Sequence, residues 1–378
     1  MSNCATAGQP APDAPSAPAF SFQWSVPSVM ATLGPTMEKP EDLEQAVLAG
    51  VGWFRLPCGY RQRPHVENAR TARAAAQAAG QSVHLLLDLP SSRPRTGTMP
   101  ELNVKPGDPI VFWDAESSAD APTLSGHTLV PLPGLLELLP QISPGHRMWF
   151  CDGRLNFVVD RVTEGLVFTH LQAGTIPLKS SNSLFLPDSA SGFTAITPPD
   201  RALLEAFAAA GVVPDWVALS LIAGPEDVIE SRATLQEVFG CKVQVMAKFE
   251  TVAAVERAAA IIAVADGAMV ARGDLGLAVG YANLPAVQDE LVAAVRAAGK
   301  PVVVATQIME SFAATGIPQR AELSDLSLIA RQRADVIMLG KETVFSPRPL
   351  ECIRLAREVL TRETRRFEQA SHGTQRPL

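Results

Sequence analysis

The sequence predicts an α/β fold, a parallel (β/α)8 TIM barrel with a small all-β domain inserted after its third strand. Eight short apolar runs alternate with alanine-rich segments of helical periodicity. Continuous apolar strands joined by helices are typical of a parallel sheet buried on both faces, and eight such units are the number that closes a barrel. An open doubly wound sheet, which needs no particular number of strands, is the alternative.

The eight strands are expected in short apolar runs separated by helical segments. The runs lie at residues 28–32, 51–56, 83–88, 216–220, 243–249, 268–271, 302–306 and 336–340. Apolar residues at i, i+3 and i+4 spacing predict helices between them, among others at 40–49, 66–79, 228–239, 253–264, 284–298 and 324–333.

One interruption of this alternation predicts the inserted domain. Short strand-like runs such as PIVFW, HTLVPL and GLVFTHL, separated by turn signals, replace the helical pattern. We therefore expect a barrel over residues 22–97 and 196–370 and a β domain over 98–195, which would cover the active-site end of the barrel as a lid. Residues 1–21, rich in Ala, Pro and Ser, are expected to form a disordered leader, and 371–378 a flexible tail.

Composition excludes several classes of protein. With 378 residues, 47% of them hydrophobic, the chain can bury a large core. A net charge of −7 without a basic stripe argues against a nucleic-acid partner. The five cysteines are scattered singly, so neither a disulfide framework nor a zinc site is predicted, and a reducing cytoplasm is expected. No apolar run reaches the roughly 18 residues that a membrane helix needs, so no membrane partner is expected.

Charged residues that follow the fifth and sixth strands predict the centre of the active site. Lys248 and Glu250 lie two residues apart, on the same side of the fifth strand, and Asp274 follows the sixth strand in the segment RGDLG. Two carboxylates at neighbouring strand ends suit a hard divalent cation such as Mg²⁺ or Mn²⁺. Arg272 and Gly273 would let the backbone approach an anionic substrate. The structural alternative for a lysine between two acids is a solvated ion pair.

Other strand ends add polar groups at the same rim. Lys248, with Arg55 across the barrel, would hold an anionic substrate or neutralise a developing negative charge. Thr306 would donate a hydrogen bond to a carboxylate or relay a proton. Together with a metal, this set suits the enolate of a small oxo acid. The polar residues that end or follow the remaining strands include Asp88, Ser220, Glu342 and Thr343.

Several motifs resemble those of the pyruvate kinase family. MVARGDLG at 269–276 is similar to that family's metal-binding segment, and KFE at 248–250 to its KIE motif. GKPVVVATQIMES, PQRAELSD and DVIMLGKET resemble its later barrel motifs, and ATLGP and RTG its early ones. These matches follow the family order over nearly the whole barrel.

The resemblance implies a glycolytic, magnesium-dependent kinase and a role for each matching residue. Lys248 would stabilise the transferring phosphoryl group or the enolate, and Glu250 and Asp274 would bind the divalent metal. Thr306 would lie near the substrate carboxylate and assist protonation, and Arg55 would contact the phosphate. Gly273 is expected to contact the substrate through its backbone, Ser220 to bind substrate, and Arg95 to bind the nucleotide phosphates.

The departures from the family pattern lie in its potassium and nucleotide loops. Asp88 remains from the potassium site, but Arg93 replaces a glutamate. This puts a requirement for K⁺ in doubt and leaves the use of ADP or ATP open. Arg61, Arg93 and Lys341 are additional cations that would replace K⁺ or contact another phosphorylated ligand, and the structural alternative for each is a solvated surface charge. Other positions that depart from the family pattern are Pro57, Gly59, Tyr60, Leu89 and Ala223.

Three functions remain open at this point. The favoured one is a pyruvate kinase-like phosphotransferase that binds phosphoenolpyruvate, pyruvate or a related 2-oxo acid, because Arg55 and Arg95 are both retained. The second is a metal-dependent lyase, aldolase or decarboxylase that forms a 2-oxo acid enolate without nucleotide. The third is a non-catalytic regulatory protein. The family's C-terminal regulatory domain is expected to be absent, which leaves open whether the chain forms the homo-oligomer common in the family.

Overall fold

The computed structural model describes residues 26–115, 122–151, 153–163, 165–188 and 194–371. Within them, eight parallel strands close into a barrel and six further strands form a separate sheet. The predicted TIM barrel with an inserted β element is confirmed, and the open-sheet alternative is wrong. The leader expected at 1–21 lies outside the described residues, and so does the tail expected at 371–378 except for Ser371, which ends a helix.

The barrel strands begin and end within one residue of their predicted bounds. Their bounds are β1 Ser28–Thr32, β2 Val51–Pro57, β3 His84–Leu89, β10 Trp216–Leu219, β11 Gln244–Phe249, β12 Gly267–Ala271, β13 Val302–Ala305 and β14 Val336–Leu339. They pair in the order β1, β2, β3, β10, β11, β12, β13, β14 and back to β1, all in parallel.

Large apolar side chains fill the inside of the barrel. Trp53 and Trp216 meet there with ring centroids 5.5 Å apart, and Met30, Met246 and Met269 join the same buried cluster. A second, larger cluster lies between the outer faces of the strands and the helices. The interior is therefore a packed core rather than a pore, and ligands have access only to its ends.

Helices surround the barrel as predicted, with differences at their starts, and one short helix, Leu135–Leu138, lies in the insertion and packs against its sheet instead. The helices at Pro225–Phe239 and Arg320–Gln332 begin three and four residues before their predicted positions, because their first turns carry no apolar periodicity. Asp227 and Glu322 accept the backbone amides there. The segment predicted as one helix at 253–264 is two, interrupted at Arg257. The helices are α1 Pro40–Leu48, α2 His65–Ala78, α3 Leu135–Leu138, α4 Pro198–Ala209, α5 Pro225–Phe239, α6 Val252–Glu256, α7 Ala258–Val264, α8 Arg272–Val279, α9 Leu284–Ala297, α10 Glu310–Thr315, α11 Arg320–Gln332, α12 Lys341–Val344 and α13 Pro349–Ser371.

The separate sheet has its own core. Phe112, Phe150 and Phe157 pack together there, with ring centroids 5.1 to 5.8 Å apart, in a cluster distinct from both barrel clusters. None of the described helices is both long and apolar enough to cross a membrane. The sheet order is β5, β4, β8, β7, β6, β9, with β4 Pro109–Trp113, β5 Thr128–Pro131, β6 Arg147–Phe150, β7 Leu155–Thr163, β8 Leu166–Gly174 and β9 Leu184–Phe185.

Candidate active site

A cavity of about 300 Å³ opens at the carboxyl ends of the barrel strands. The two-residue period of the strands explains its lining, since the residue two positions after an inward-facing core residue points the same way. Trp53 lies in the barrel interior and Arg55 at the cavity, and Met246 is followed in the same way by Lys248. The packed interior is therefore the floor of a polar site.

Lys248 is the central cation of this site. Its Nζ donates to Asp88 Oδ1 at 3.0 Å and to Ser220 Oγ at 2.7 Å, and lies 2.9 Å from Glu250 Oε1. The other oxygen of Asp88 accepts a hydrogen bond from Arg55 Nε at 2.7 Å. The ammonium group thus joins three strand ends, and Asp88 connects a fourth through Arg55.

The ion pairs keep both Lys248 and Asp88 charged. Burial works against the ammonium form, but the charges of Asp88 and Glu250 outweigh it and raise the pKa of Lys248 above its ordinary value. Burial likewise opposes ionisation of Asp88, yet Lys248 and Arg55 hold the pKa of that carboxyl below its usual range. A charged lysine is therefore available to an anionic ligand at neutral pH.

The predicted metal ligands, Glu250 and Asp274, lie side by side and share a contact with Arg93. The Arg93 guanidinium donates to both oxygens of Asp274, at 3.0 and 2.8 Å, and its Nη2 lies 4.0 Å from Glu250 Oε2. Burial, with the charge of Asp274 adding to it, raises the pKa of Glu250. Burial also opposes ionisation of Asp274, but the charge of Arg93 outweighs it and lowers the pKa of Asp274.

The chemistry of this carboxylate pair fits a hard divalent cation. Glu250 and Asp274 offer oxygen ligands without a histidine or cysteine beside them, and Mg²⁺ is commonly held by one or two carboxylates plus substrate and water. Among the described residues no group of three or more His, Cys, Asp and Glu side chains could hold a metal. A divalent cation held by Glu250 and Asp274 would therefore take its remaining ligands from substrate or water. Arg93 contacts the same two carboxylates.

Thr306 reaches the cavity from an unusual turn. Thr306 and Gln307 have φ values of 70° and 53°, in the left-handed region that costs a non-glycine residue about 1–3 kcal/mol. Arg272 holds this turn, because its guanidinium donates to the Thr306 carbonyl at 2.7 Å and pairs with Asp325 at 2.7 Å. The Thr306 hydroxyl oxygen accepts the amide of Gly273 at 3.1 Å.

Arg272 does not line the cavity, although Gly273 and Asp274 beside it do. Its buried guanidinium binds Asp325 and backbone carbonyls and thereby positions Thr306. That the backbone at Arg272 approaches an anionic substrate stays a prediction. The predicted site residues that do line the cavity are Arg55, Asp88, Arg95, Ser220, Lys248, Glu250, Gly273, Asp274 and Thr306.

Two polar residues after the eighth strand bind the backbone rather than the cavity. Glu342 accepts the amides of Ile308 and Met309 at 3.1 and 3.0 Å. The Thr343 hydroxyl bonds to both the amide and the carbonyl of Thr32, each at 3.0 Å. Both residues are buried and connect neighbouring parts of the barrel.

The additional cations separate into two groups. Arg61 pairs with Asp200 at 2.6 Å and does not line the cavity, whereas Arg93 and Lys341 do. Sequence reasoning did not place Arg93 against Asp274, although its replacement of an acidic family residue was a signal. It also missed Phe345 at the cavity, for which the sequence carries no periodic or motif signal.

Fold and site together define a barrel scaffold for a small anionic ligand. The cavity lies where TIM-barrel enzymes place their active sites. Five cations line it, Arg55, Arg93, Arg95, Lys248 and Lys341, together with four carboxylates, Asp88, Glu250, Asp274 and Glu310. The excess of one positive charge favours an anion.

Comparison with known proteins identifies the family. Residues 25–353 match the family model described as pyruvate kinase, barrel domain, and the chain belongs to the pyruvate kinase family. A pyruvate kinase of Methylorubrum extorquens is 34% identical over 340 residues, which are 88% of this chain and 68% of the relative. One from Agrobacterium vitis is 32% identical over 93% of this chain and 70% of its own length. One from Thermococcus litoralis is 29% identical over 88% and 68%.

Proposed function

We propose that this chain is a pyruvate kinase-like transferase that binds phosphoenolpyruvate, pyruvate or a related 2-oxo acid and transfers the phosphoryl group through an enolate. The observation that carries the proposal is the convergence of Lys248, Arg55 and Thr306 on one cavity beside the pair Glu250 and Asp274. Family membership supports phosphoryl transfer as the reaction class. The small cavity suits a substrate of this size.

Arg55 and Lys248 would bind the phosphoryl end of the substrate. Asp88 holds both cations in place, with one oxygen each. Negative charge grows on the enol oxygen as its bond to phosphorus breaks. A fixed ammonium group beside that oxygen stabilises the developing charge. The raised pKa of Lys248 keeps the ammonium charged during this step.

Thr306 would act at the carbon end of the enolate. Its Oγ1 accepts the Gly273 amide, so its own proton is available to the substrate carboxylate or, through a water molecule, to the methylene carbon that becomes the methyl group of pyruvate. Because Arg272 holds the turn that carries Thr306, the hydroxyl is positioned before the substrate arrives.

A divalent cation at this site would be held by Glu250 and Asp274 and would neutralise charge on the phosphoryl and oxo-acid oxygens. A monovalent cation is not needed to neutralise Asp88. Asp88, which remains from the family's potassium site, has both oxygens engaged by Lys248 and Arg55. We therefore expect turnover without added K⁺.

A metal-dependent lyase, aldolase or decarboxylase that uses no nucleotide is the second candidate. The observation that favours it is the retention of the oxo-acid half of the site, while the loop with Pro57, Gly59 and Tyr60 lines the cavity with residues foreign to the family's nucleotide and potassium loops. Such an enzyme would need the groups that stabilise an enolate, but not those that bind a nucleotide.

An assay with phosphoenolpyruvate and ADP separates these functions. The protein is incubated with both substrates and Mg²⁺, with and without K⁺, and pyruvate and ATP are measured. We expect equal formation of both products in the two conditions and loss of activity in Asp274→Asn, because that variant lacks one proposed metal ligand. Absence of ATP combined with metal-dependent exchange of the methyl protons of pyruvate would support the second candidate. Absence of both, without oxo-acid binding, would support the non-catalytic alternative.

A further inference from the structure

We propose that Arg93 is a built-in competitor of the divalent cation. Its guanidinium occupies the carboxylate pair formed by Glu250 and Asp274, so that a divalent cation binds there only by displacing it. The competition weakens metal binding and makes Arg93 the residue that sets the metal affinity of the site. This inference rests on the proposed function in one respect, the use of Glu250 and Asp274 as metal ligands.

The first support is the geometry of the contact. Arg93 donates one hydrogen bond to each oxygen of Asp274, at 3.0 and 2.8 Å, the two-pronged arrangement that is the strongest pairing of a guanidinium with a carboxylate. The nitrogen that binds Asp274 Oδ2 is also the one that faces Glu250 Oε2 at 4.0 Å. A metal held by both carboxylates would need the Asp274 oxygens, and Arg93 binds both of them.

The second support is burial. The side chains of Arg93, Glu250 and Asp274 are only 13%, 2% and 20% exposed. Ion pairs at exposed positions contribute little, but removing one partner of a buried pair leaves an uncompensated charge. Lys248 also pairs with Glu250, whereas Arg93 is the cation that pairs with Asp274 within the described part of the chain. Loss of Arg93 therefore removes the ion-pair partner of Asp274 and favours the binding of another cation there.

The third support is that the two carboxylates and Arg93 belong to different parts of the fold. Glu250 directly follows β11, and Asp274 lies in the first turn of α8. Arg93 instead lies outside the regular elements, in the segment that follows β3 and leads toward the inserted sheet. Arg93 can leave the carboxylates by a movement of this segment and its own side chain, without a change in the barrel. Displacement by a metal is therefore compatible with the fold.

Manganese binding to the full chain without substrate tests the proposal. Free Mn²⁺ is measured by electron paramagnetic resonance while each protein is titrated. We expect Arg93→Gln to bind one Mn²⁺ at least about tenfold more tightly than the wild type, because a like charge has been removed from contact distance. Lys341→Gln is the matched control. It removes another cavity-lining cation, one whose Nζ lies 3.6 Å from Glu310 rather than at Asp274, and we expect a change of less than about threefold because this more exposed charge is screened by solvent.

Two further variants keep the outcome clear. Arg93→Lys keeps the charge but loses the two-pronged contact, so its affinity should lie between those of the wild type and Arg93→Gln, and it serves as the test if Arg93→Gln fails to fold. Adding Asp274→Asn to Arg93→Gln should remove the tight site. Equal Mn²⁺ affinity in the wild type and the Arg93 variants would overturn the competition while leaving the metal site intact. Absence of Mn²⁺ binding in all folded variants would overturn both the competition and the assignment of Glu250 and Asp274.

Discussion

Lys248 is buried and still charged because of the oxygens that surround it. An isolated ammonium group in a protein interior costs several kcal/mol, and paired carboxylates offset that cost. Asp88, Ser220 and Glu250 each lie within 3.0 Å of its Nζ. The same contacts fix the position of the ammonium group, so a substrate anion meets a charge that needs no rearrangement.

Replacing this lysine tests its role directly. We expect Lys248→Met to lower turnover about a thousandfold or more, roughly 4 kcal/mol of transition-state stabilisation. The variant should also lose about 3–5 kcal/mol of folding stability, because Asp88 and Glu250 remain buried without their shared cation. Steady-state kinetics and urea unfolding measure the two effects. Ser220→Ala removes two hydrogen bonds, the one from Lys248 and the one to the Leu89 carbonyl, but leaves both ion pairs of Lys248. A loss of turnover as large as that of Lys248→Met would therefore contradict the charge-based role.

At the residue scale the sequence predicts what the strand period controls and misses what loops control. Lys248 was found because a strand places alternate residues on one side. The contact of Arg93 with Asp274 was not predicted, since Arg93 lies outside the periodic elements and its direction depends on the folded segment. The left-handed turn at Thr306 and Gln307 was missed for the same reason, because neither residue type favours that conformation.

At the scale of the secondary-structure elements, one type of contact recurs at the barrel end opposite the cavity. Asp215, Asp266 and Asp335 each directly precede a barrel strand, and each accepts a backbone amide near the start of the neighbouring strand. The amides belong to Leu85, Val245 and Val302, with N to O distances of 2.6, 2.9 and 2.9 Å. Polar contacts at this face of a TIM barrel serve stability rather than chemistry.

The pH dependence of stability should differ between two of these aspartates. Burial opposes ionisation of Asp266, but its hydrogen bonds with Val245 and Arg232 outweigh burial and lower its pKa below the ordinary 3.8. A lowered pKa in the folded state contributes stability above pH 3.8 that is lost as the pH falls through the folded value. Burial raises the pKa of Asp335 instead, so ionised Asp335 contributes less near neutral pH.

We therefore expect Asp266→Asn to lower the free energy of unfolding by about 1 kcal/mol at pH 7, and the difference from the wild type to shrink as the pH falls below 3.8. Asp335→Asn, at the equivalent position before β14, should cost less at pH 7. Urea unfolding of the three proteins at a series of pH values measures both trends. A constant loss across the series, or equal losses for the two variants at pH 7, would contradict the interpretation.

At the scale of the whole molecule, the barrel and the inserted sheet have separate cores but meet near the cavity. Arg95 lines the cavity and donates to the carbonyl of Ser181, just before β9. Gly153, in the insertion, lies so near Leu277 of α8 that an added Cβ would approach within 2.5 Å. The sequence predicts both folding units from their change of periodicity, but these contacts join segments that no local pattern relates.

The two ends of the inserted segment meet, and this predicts that the barrel folds without the insertion. The Ser91 hydroxyl donates to the Thr194 carbonyl at 2.8 Å, and the Thr194 amide donates to the Ser92 hydroxyl at 3.0 Å. A linker of about three glycine and serine residues is therefore long enough to replace residues 93–193. The barrel clusters remain whole, because their buried members all lie outside that segment.

We expect this shortened chain to be monodisperse, to unfold cooperatively in urea and to keep the helical circular dichroism of the barrel, since its strand pairing is unchanged. It should also bind Mn²⁺ more tightly than the full chain, because the deletion removes Arg93 while Glu250 and Asp274 stay on the barrel. Size-exclusion chromatography, circular dichroism and the Mn²⁺ titration measure these properties. A non-cooperative transition with strong dye binding would show that the barrel needs the insertion to fold. A folded barrel with unchanged Mn²⁺ affinity would show that the insertion does not limit metal binding through Arg93.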